Sequence, residues 1–186
     1  MGCLPMAQPC HTPEGTAEVC PSTPPVAVEQ EGAASPNLAR GRPTSQSSTY
    51  THTDGISGIS GYAVDGNCDG RWIARSCTHT NLENNPWWSV DLGREYAISL
   101  VVVKIRQDCC GDRIQGATIH VGDHTGDFSK SSFTCGTITY LENGSLSTIL
   151  CNGALGRYIT IAIPGQVATL SPAEVEVHGS NSVCRS

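Results

Sequence analysis

Two arginines, two aspartates and two adjacent cysteines crowd into Arg106-Gln107-Asp108-Cys109-Cys110-Gly111-Asp112-Arg113, at the end of the longest apolar run in the chain. These residue types suit recognition chemistry. Arginine stays charged at any relevant pH and donates from a rigid fork, which a carboxylate can hold still by bidentate bonding. Asp108 and Asp112 are placed to do this. The adjacent cysteines, if bonded to each other, form a small ring with a flat, apolar, polarisable face. The plain alternative is a charged turn with a solvated Arg–Asp pair. Against it stand the scarcity of basic residues, 11 in 186, and the convergence of two arginines on one turn.

A second group is Asp65-Gly66-Asn67-Cys68-Asp69-Gly70, followed by Ser76. Hard oxygen donors around glycine turns are what calcium requires, because it gathers roughly six to eight oxygens from side chains and carbonyls. The acidic spacing and terminal glutamate of an EF-hand are missing. The same residues also read as an Asx-rich turn.

The elements that must position these groups are short. The chain has 186 residues with 20 Gly, 11 Pro and only 15% charged residues, enough for one domain and a tail. From Asn37 onward, β-branched runs alternate with Gly, Asn and Asp. Trp88-Ser89-Val90-Asp91-Leu92 alternates with period two, and the run from Ile98 to Ile105 is nearly continuous in the manner of a buried strand. Further strand signals lie at 117–121, 146–151, 158–163 and 175–178, and no helical period persists for ten residues. This pattern predicts an all-β fold, an antiparallel β-sandwich of jelly-roll type.

Residues 1–36 differ: they hold 7 of the 11 prolines, four glutamates and no Lys or Arg. They read as a Pro-rich, Cys-containing tail or linker, with too little bulky apolar content to offset the entropy of ordering. Pro5, Pro9 and Pro13 break any signal-peptide core, which implies that a signal has been removed or that the chain is a piece of a longer one. Net charge is −6, which argues against binding nucleic acid by bulk electrostatics. No apolar run approaches the roughly 20 residues of a membrane span, so no membrane insertion is expected. Ten cysteines without a CxxC pair make a zinc site a poor reading and disulfides the better one. An oxidising, extracellular compartment follows. The sequon Asn143-Gly144-Ser145 is compatible with secretion.

His79, then 26 residues, then Arg106-x-Asp108, then four residues, then Arg113 resembles the fucose-binding signature of the F-type lectins (fucolectins), in which the Cys109-Cys110 pair is also typical. The resemblance spans residues 37–179 and includes Asn37-Leu38-Ala39, Ser76-Cys77-Thr78-His79, Asn85-Pro86-Trp87-Trp88 and Glu174-Val175-Glu176-Val177; residues 180–186 form a C-terminal tail. It implies a discoidin-like, galactose-binding type of sandwich that binds terminal fucose without catalysis. By resemblance, His79, Arg106 and Arg113 donate to the sugar, Asp108 orients the arginines, and Cys109–Cys110 stack on the sugar's apolar edge. Tyr50, His52 and Ile73 are candidates for the pocket of the fucose methyl. The resemblance also implies a structural calcium held by Tyr62, Asp65, Asn67, Ser76, Ala173 and Glu174, with Tyr62 and Ala173 serving through carbonyls. Fucosylated glycans are the implied partners, in cell adhesion or host defence, and self-association into a homo-oligomer is left open.

Cys135 and Cys151 match a family disulfide. Cys77 matches another, but its usual partner position is Ala173 here, which points to a Cys68–Cys77 bridge. The competing arrangement leaves Cys77 reduced and buried, with Cys68 paired to Cys184 or to one of Cys3, Cys10 and Cys20. Three other functions compete with the lectin reading: a discoidin-like adhesion domain binding protein or lipid, a glycoside hydrolase, and the recognition module of a larger protein. A hydrolase needs two carboxylates flanking the sugar, and Asp108 and Asp112 are committed to arginines by proximity.

Overall fold

The computed structural model describes residues 36–181. The expectations for the N-terminal tail and for Cys3, Cys10, Cys20 and Cys184 lie outside those residues. Eight strands carry the fold: β1 Thr44–Gln46, β2 Glu83–Asn84, β3 Trp87–Ile105, β4 Thr118–Gly122, β5 Phe133–Thr137, β6 Leu146–Ala162, β7 Val167–Ala168 and β8 Pro172–Asn181. The described residues contain no α-helix; three short 3-10 turns, Ser60–Val64, Trp72–Ala74 and Gly111–Ile114, complete the elements.

All pairings are antiparallel. The strands order β1-β3-β6-β4-β5, with β8 on the same edge of β3 as β1 but further along it, and β2 and β7 form a separate two-stranded ribbon. The two long strands, β3 and β6, each serve both layers of the sandwich. The first half of β3 pairs with β1 and the end of β6, while its second half pairs with the start of β6 and with β8. The bend falls where the register shifts between Asp91 and Tyr96, at Gly93 with φ +86°. In β6 the break holds Asn152 and Gly153, both at positive φ, opposite the second register shift of β3 between Ile98 and Leu100. The sequence pattern shows two runs on each side of these bends; the chain joins them into single strands.

Alternation along these strands builds the core. Trp88, Val90 and Leu92 of β3, Ile119 of β4, and Ile159 and Ile161 of β6 are fully buried. Trp88 keeps its indole N–H satisfied by donating to the Ser60 carbonyl at 2.9 Å, so its large surface is buried without a lost hydrogen bond. Cys135 and Cys151 are bonded and tie β5 to β6 across 16 residues, as expected. Closing a loop of that length stabilises by about 3 kcal/mol on chain-entropy grounds. Cys109 and Cys110 are also bonded.

The Cys68–Cys77 bridge does not form. Cys68 is disulfide-bonded, but Cys77 is a free, buried thiol, as the competing arrangement has it; the cysteines offered there as partners of Cys68 lie outside the described residues. The reason is direction. Cys77 turns into the interior at 1% exposure and its Sγ donates to the Gly70 carbonyl at 3.1 Å, whereas Cys68 remains half-buried in the loop above. Burial pushes the Cys77 thiol up to about 12. The thiolate is the reactive species. Cys77 is therefore expected to resist a thiol reagent at neutral pH in the native protein and to react once the protein is unfolded. Rapid labelling of Cys77 under native conditions would contradict this packing.

Candidate functional site

A cavity of about 430 Å³ opens at one end of the sandwich, lined by Tyr50, Trp72, His79, Arg106, Cys109 and Arg113 among others. Its walls come from separate parts of the chain. Arg106 follows directly on the last residue of β3. Its guanidinium donates through Nε to Asp108 Oδ1 at 2.6 Å and through Nη2 to Oδ2 at 3.1 Å. The bidentate pair holds Arg106 at only 8% exposure. Asp108 also accepts the Trp72 backbone N–H at 3.0 Å, so one carboxylate fixes both the arginine and the 3-10 turn carrying Trp72. Partial burial pushes the Asp108 carboxyl up, but these hydrogen bonds outweigh it and hold the group below the usual carboxylate range.

Arg113 sits in the turn Gly111–Ile114, which is preceded by Cys110 in a left-handed conformation at φ +64°. Asn143 Oδ1 accepts the Gly111 N–H at 2.8 Å and pins this turn from the neighbouring loop. The expected role for Asp112 is corrected: among the described residues it pairs with neither arginine and lies exposed. Asp108 alone does the holding, and only for Arg106.

His79 is 7% exposed and sits against the loop 50–58. The Tyr50 N–H donates to the His79 carbonyl at 2.8 Å, and the His79 N–H donates to the Gly58 carbonyl at 3.0 Å. A Cβ on Gly58 would lie 2.5 Å from the His79 Cβ, so this approach requires glycine. The His79 ring stands 4.5 Å from Tyr50 and 5.5 Å from Trp72, centroid to centroid, and the Arg106 guanidinium lies 5.3 Å from the Trp72 ring. Aromatic faces and fixed cations thus share one small volume.

The tautomer of His79 follows from its partners. Nδ1 lies 2.6 Å from the Thr80 carbonyl, which can only accept, so Nδ1 carries the proton. Nε2 is left as an acceptor and takes a hydrogen bond from Arg113 Nη1 at 2.9 Å. This differs from the expected donor role: at the pocket, His79 accepts a hydrogen bond rather than donating one. Burial pushes its pKa down to about 4, the Thr80 carbonyl offsets this in part, and the charges of Arg113 and Arg106 add to the depression. Between the ordinary value of 6.5 and about 4, the unfolded chain takes up a proton that the native state refuses, so acidification destabilises across that window. The total is on the order of 3 kcal/mol. Urea melts of the wild type and His79→Gln at neutral pH and near the lower limit should show a smaller loss for the variant. Equal losses would mean that His79 is protonated in the native state.

Of the other expected pocket residues, Tyr50 and His52 line the cavity, whereas Ile73 does not. Ile73 is 77% exposed, because the 3-10 turn Trp72–Ala74 points its neighbour Trp72 inward instead. Trp72, Leu82 and Thr169 line the cavity and are missed by sequence reasoning. Cys109 reaches the cavity wall, and Asp108 stands behind Arg106.

The oxygen-rich loop lies beside this site, against the start of β8. The Gly66 N–H donates to Glu174 Oε1 at 3.0 Å, which brings together residues 108 positions apart. Asp65 Oδ1 accepts the Asn67 N–H at 2.8 Å and Ser76 Oγ donates to the Arg71 carbonyl at 3.2 Å. Glu174 is 1% exposed, and its Oε2 is buried with no hydrogen-bond partner. Burial, with the Asp65 charge adding to it, pushes the Glu174 carboxyl up to about 8; burial also raises Asp65. The Arg40 guanidinium lies close to Gly66, and its charge opposes both shifts in part. Among the described residues no three His, Cys, Asp or Glu side chains converge. Asp65 and Glu174 offer hard carboxylate oxygens of the kind calcium takes, not the nitrogen and sulfur donors typical of zinc. A buried carboxylate oxygen without a partner fits such a cation.

The architecture has close counterparts. Residues 62–161 match the family described as NedA-like, galactose-binding domain. The fucolectin of Anguilla anguilla is 36% identical over 153 residues, which cover 81% of this chain and 96% of that protein. A crystal structure of an F-lectin (fucolectin) from the serum of the striped bass, Morone saxatilis, superposes with a TM-score of 0.71 at 36% identity, over 79% of this chain and 50% of that one. This chain therefore spans half the length of the striped bass protein. A fucose binding module of Streptococcus pneumoniae has a TM-score of 0.64 at 27% identity, over 81% of this chain and its own full length. These relatives are lectins and binding modules rather than enzymes. With the same sandwich and a matching sequence across nearly the whole of the eel protein, the chain belongs to the fucolectin family of F-type lectins.

Proposed function

We propose that this domain is a secreted, non-catalytic lectin that binds terminal L-fucose on fucosylated glycans and is stabilised by a structural calcium ion. One observation carries the sugar reading: Arg106, Arg113 and His79 converge on a single pocket with aromatic faces and Cys109 on its wall. A neutral pyranose presents hydroxyls, a ring oxygen and apolar C–H faces, and needs a few fixed polar groups with one apolar platform.

The roles follow from what each group has left to give. Asp108 occupies Nε and Nη2 of Arg106, so the Nη1 protons remain for a sugar oxygen. Arg113 commits one N–H to His79 and keeps the others. Neutral His79 accepts through Nε2, so a sugar hydroxyl would donate to it in exchange for Arg113. A hydroxyl both donates and accepts, and this mixed set of one acceptor and two cationic donors matches vicinal hydroxyls better than it matches a carboxylate or a phosphate. Cys109–Cys110 and the aromatic rings supply the platform. Calcium would be held by Glu174 and Asp65, with Ser76, Asn67 and the carbonyls of Tyr62 and Ala173. It would neutralise the unpartnered Glu174 oxygen and stiffen the loop that leads through Ser76 to His79.

Serum as the source of the striped bass relative supports secretion, and a role in adhesion or host defence is part of the proposal. A glycan array probed with and without chelation tests the proposal. Binding confined to fucosylated glycans is expected. Signal on non-fucosylated glycans of equal strength would reject the fucose reading, and sugar release would reject the non-catalytic one.

A further inference from the structure

The sequon Asn143-Gly144-Ser145 has no part in the lectin reading, yet it occupies a well-defined place in the fold. It lies in the connection between β5 and β6, inside the loop that Cys135 and Cys151 close. The Ser145 N–H donates to the Glu142 carbonyl at 3.0 Å and makes a turn of residues 142–145. Gly144 takes φ +77° there, a conformation that glycine adopts without strain. The turn is fastened to the end of β3. The Gly144 N–H donates to the Arg106 carbonyl at 3.1 Å, and the Ile105 N–H donates to the Ser145 carbonyl at 2.9 Å.

The two ends of the Asn143 amide are used differently. The Gly111 N–H can only donate, so the Asn143 atom 2.8 Å from it is the oxygen, which settles the orientation of the amide. Its Nδ2 group makes no hydrogen bond among the described residues, and the residue is exposed. Nearby, Tyr140 is 54% exposed and its hydroxyl donates to the Glu142 carboxylate, which holds an aromatic ring next to the turn. A ring so placed offers an apolar face to the C–H side of a first sugar.

We propose that Asn143 is an N-glycosylation site with a divided amide: Nδ2 carries the glycan while Oδ1 goes on holding the turn Gly111–Ile114 that bears Arg113. The inference rests on secretion as proposed above, because the donor, a lipid-pyrophosphate-linked oligosaccharide, is met in the secretory pathway. In the transfer, Nδ2 bonds to the anomeric carbon of the sugar, loses one proton and displaces the lipid pyrophosphate; nothing is oxidised or reduced. The product amide keeps its carbonyl, so modification leaves the Gly111 hydrogen bond in place. In the folded chain the Ser145 hydroxyl is already engaged, donating to the Glu142 carbonyl at 2.6 Å. Transfer therefore belongs to the stage before this turn closes.

The test expresses the full chain behind a cleavable signal peptide in a eukaryotic secretory host. Peptide N-glycosidase in heavy-oxygen water should leave a labelled aspartate at position 143, and Ser145→Ala should abolish both the glycan and the label. Exchange of the Gly111 amide reads the other end of Asn143 and does not depend on the fucose reading. It should stay slow in Ser145→Ala, which keeps the carbonyl, and quicken about fivefold in Asn143→Ala, the worth of one hydrogen bond. Asn143→Asp, which keeps an acceptor oxygen, should restore the slow rate. Affinity for methyl α-L-fucoside should follow the same order, since the turn carries Arg113. Secreted protein with Cys135 and Cys151 paired but no glycan on Asn143 would overturn the modification. Equal Gly111 exchange in Asn143→Ala and Ser145→Ala would overturn the positioning role. Protein retained in the host with those cysteines unpaired would overturn the secretion reading, and the glycosylation site with it.

Discussion

Arg113→Ala abolishes measurable binding of methyl α-L-fucoside without lowering the melting temperature, whereas Arg106→Ala abolishes binding and also destabilises the fold. The two arginines differ in what they leave behind. Arg113 is half-buried and bonds a neutral imidazole, so its removal strands no charge. Arg106 is 8% exposed and holds Asp108 by two hydrogen bonds. Truncating it leaves that carboxylate and the Trp72 turn without their organiser, and an orphaned partner of a buried pair is costly. On the binding side, each variant loses charge-assisted donors of about 1.5–3 kcal/mol. That is roughly tenfold to over a hundredfold in affinity, enough to carry a weak monosaccharide interaction out of range. Arg106→Lys should fall between, since it keeps the charge but not the fork. Titration with the fucoside and a thermal melt on each variant are sufficient. An Arg113→Ala protein that binds within threefold of wild type would remove the guanidinium from the site.

Metal removal gives the second large effect. Exhaustive chelation lowers the melting temperature, and calcium restores it. A ligand that binds the native state at about a hundred times its dissociation constant adds about 2.7 kcal/mol. For a domain near this size that corresponds to roughly 5–10 °C. Glu174→Gln separates the metal from simple packing. In the chelated protein it should raise stability, because it replaces a buried carboxylate whose Oε2 has no partner by a neutral amide. In calcium it should lower stability, because the charge that holds the ion has gone. The order of the two proteins therefore inverts between chelator and calcium. A wild type whose melting curve is identical in both conditions, with metal content measured, would reject the calcium site.

The part of the site written in fixed spacing is legible in the sequence itself. His79, Arg106, Asp108 and Arg113 are gathered by their resemblance to the F-type lectin signature, and the bonded Cys109–Cys110 pair is adjacent in sequence. The residues that sequence reading misses or misjudges depend on direction, which spacing does not encode. Trp72 lines the pocket and Ile73 does not, because a single 3-10 turn, capped by Arg75 at φ +53°, decides which of two neighbours faces inward. Cys68 and Cys77 are near in sequence, yet one faces the interior and the other does not. The donor role expected of His79 fails for a local reason: the Thr80 carbonyl, its next neighbour, claims the ring proton and leaves the pocket-facing nitrogen as an acceptor. In the fold, the strand runs at 88–92 and 98–105 are legible from alternation, but not that they belong to one bent strand, because Gly93 reads in sequence as a terminator. The strand Phe133–Thr137 leaves little signal, since Thr, Cys and Gly carry no apolar alternation.

Because β3 and β6 each pass through both layers, the sandwich has no seam along which its halves can part. Opening one layer alone would require breaking the ladder that the same two strands make in the other. Deuterium should consequently enter the amides of β3 and β6 along their whole length at one rate, that of global opening, instead of layer by layer. Arg106 is joined to the last residue of β3, and Glu174 lies inside β8, which is zipped to that same stretch. Glycan or metal bound at either place would thus slow exchange throughout the domain, not merely around the pocket.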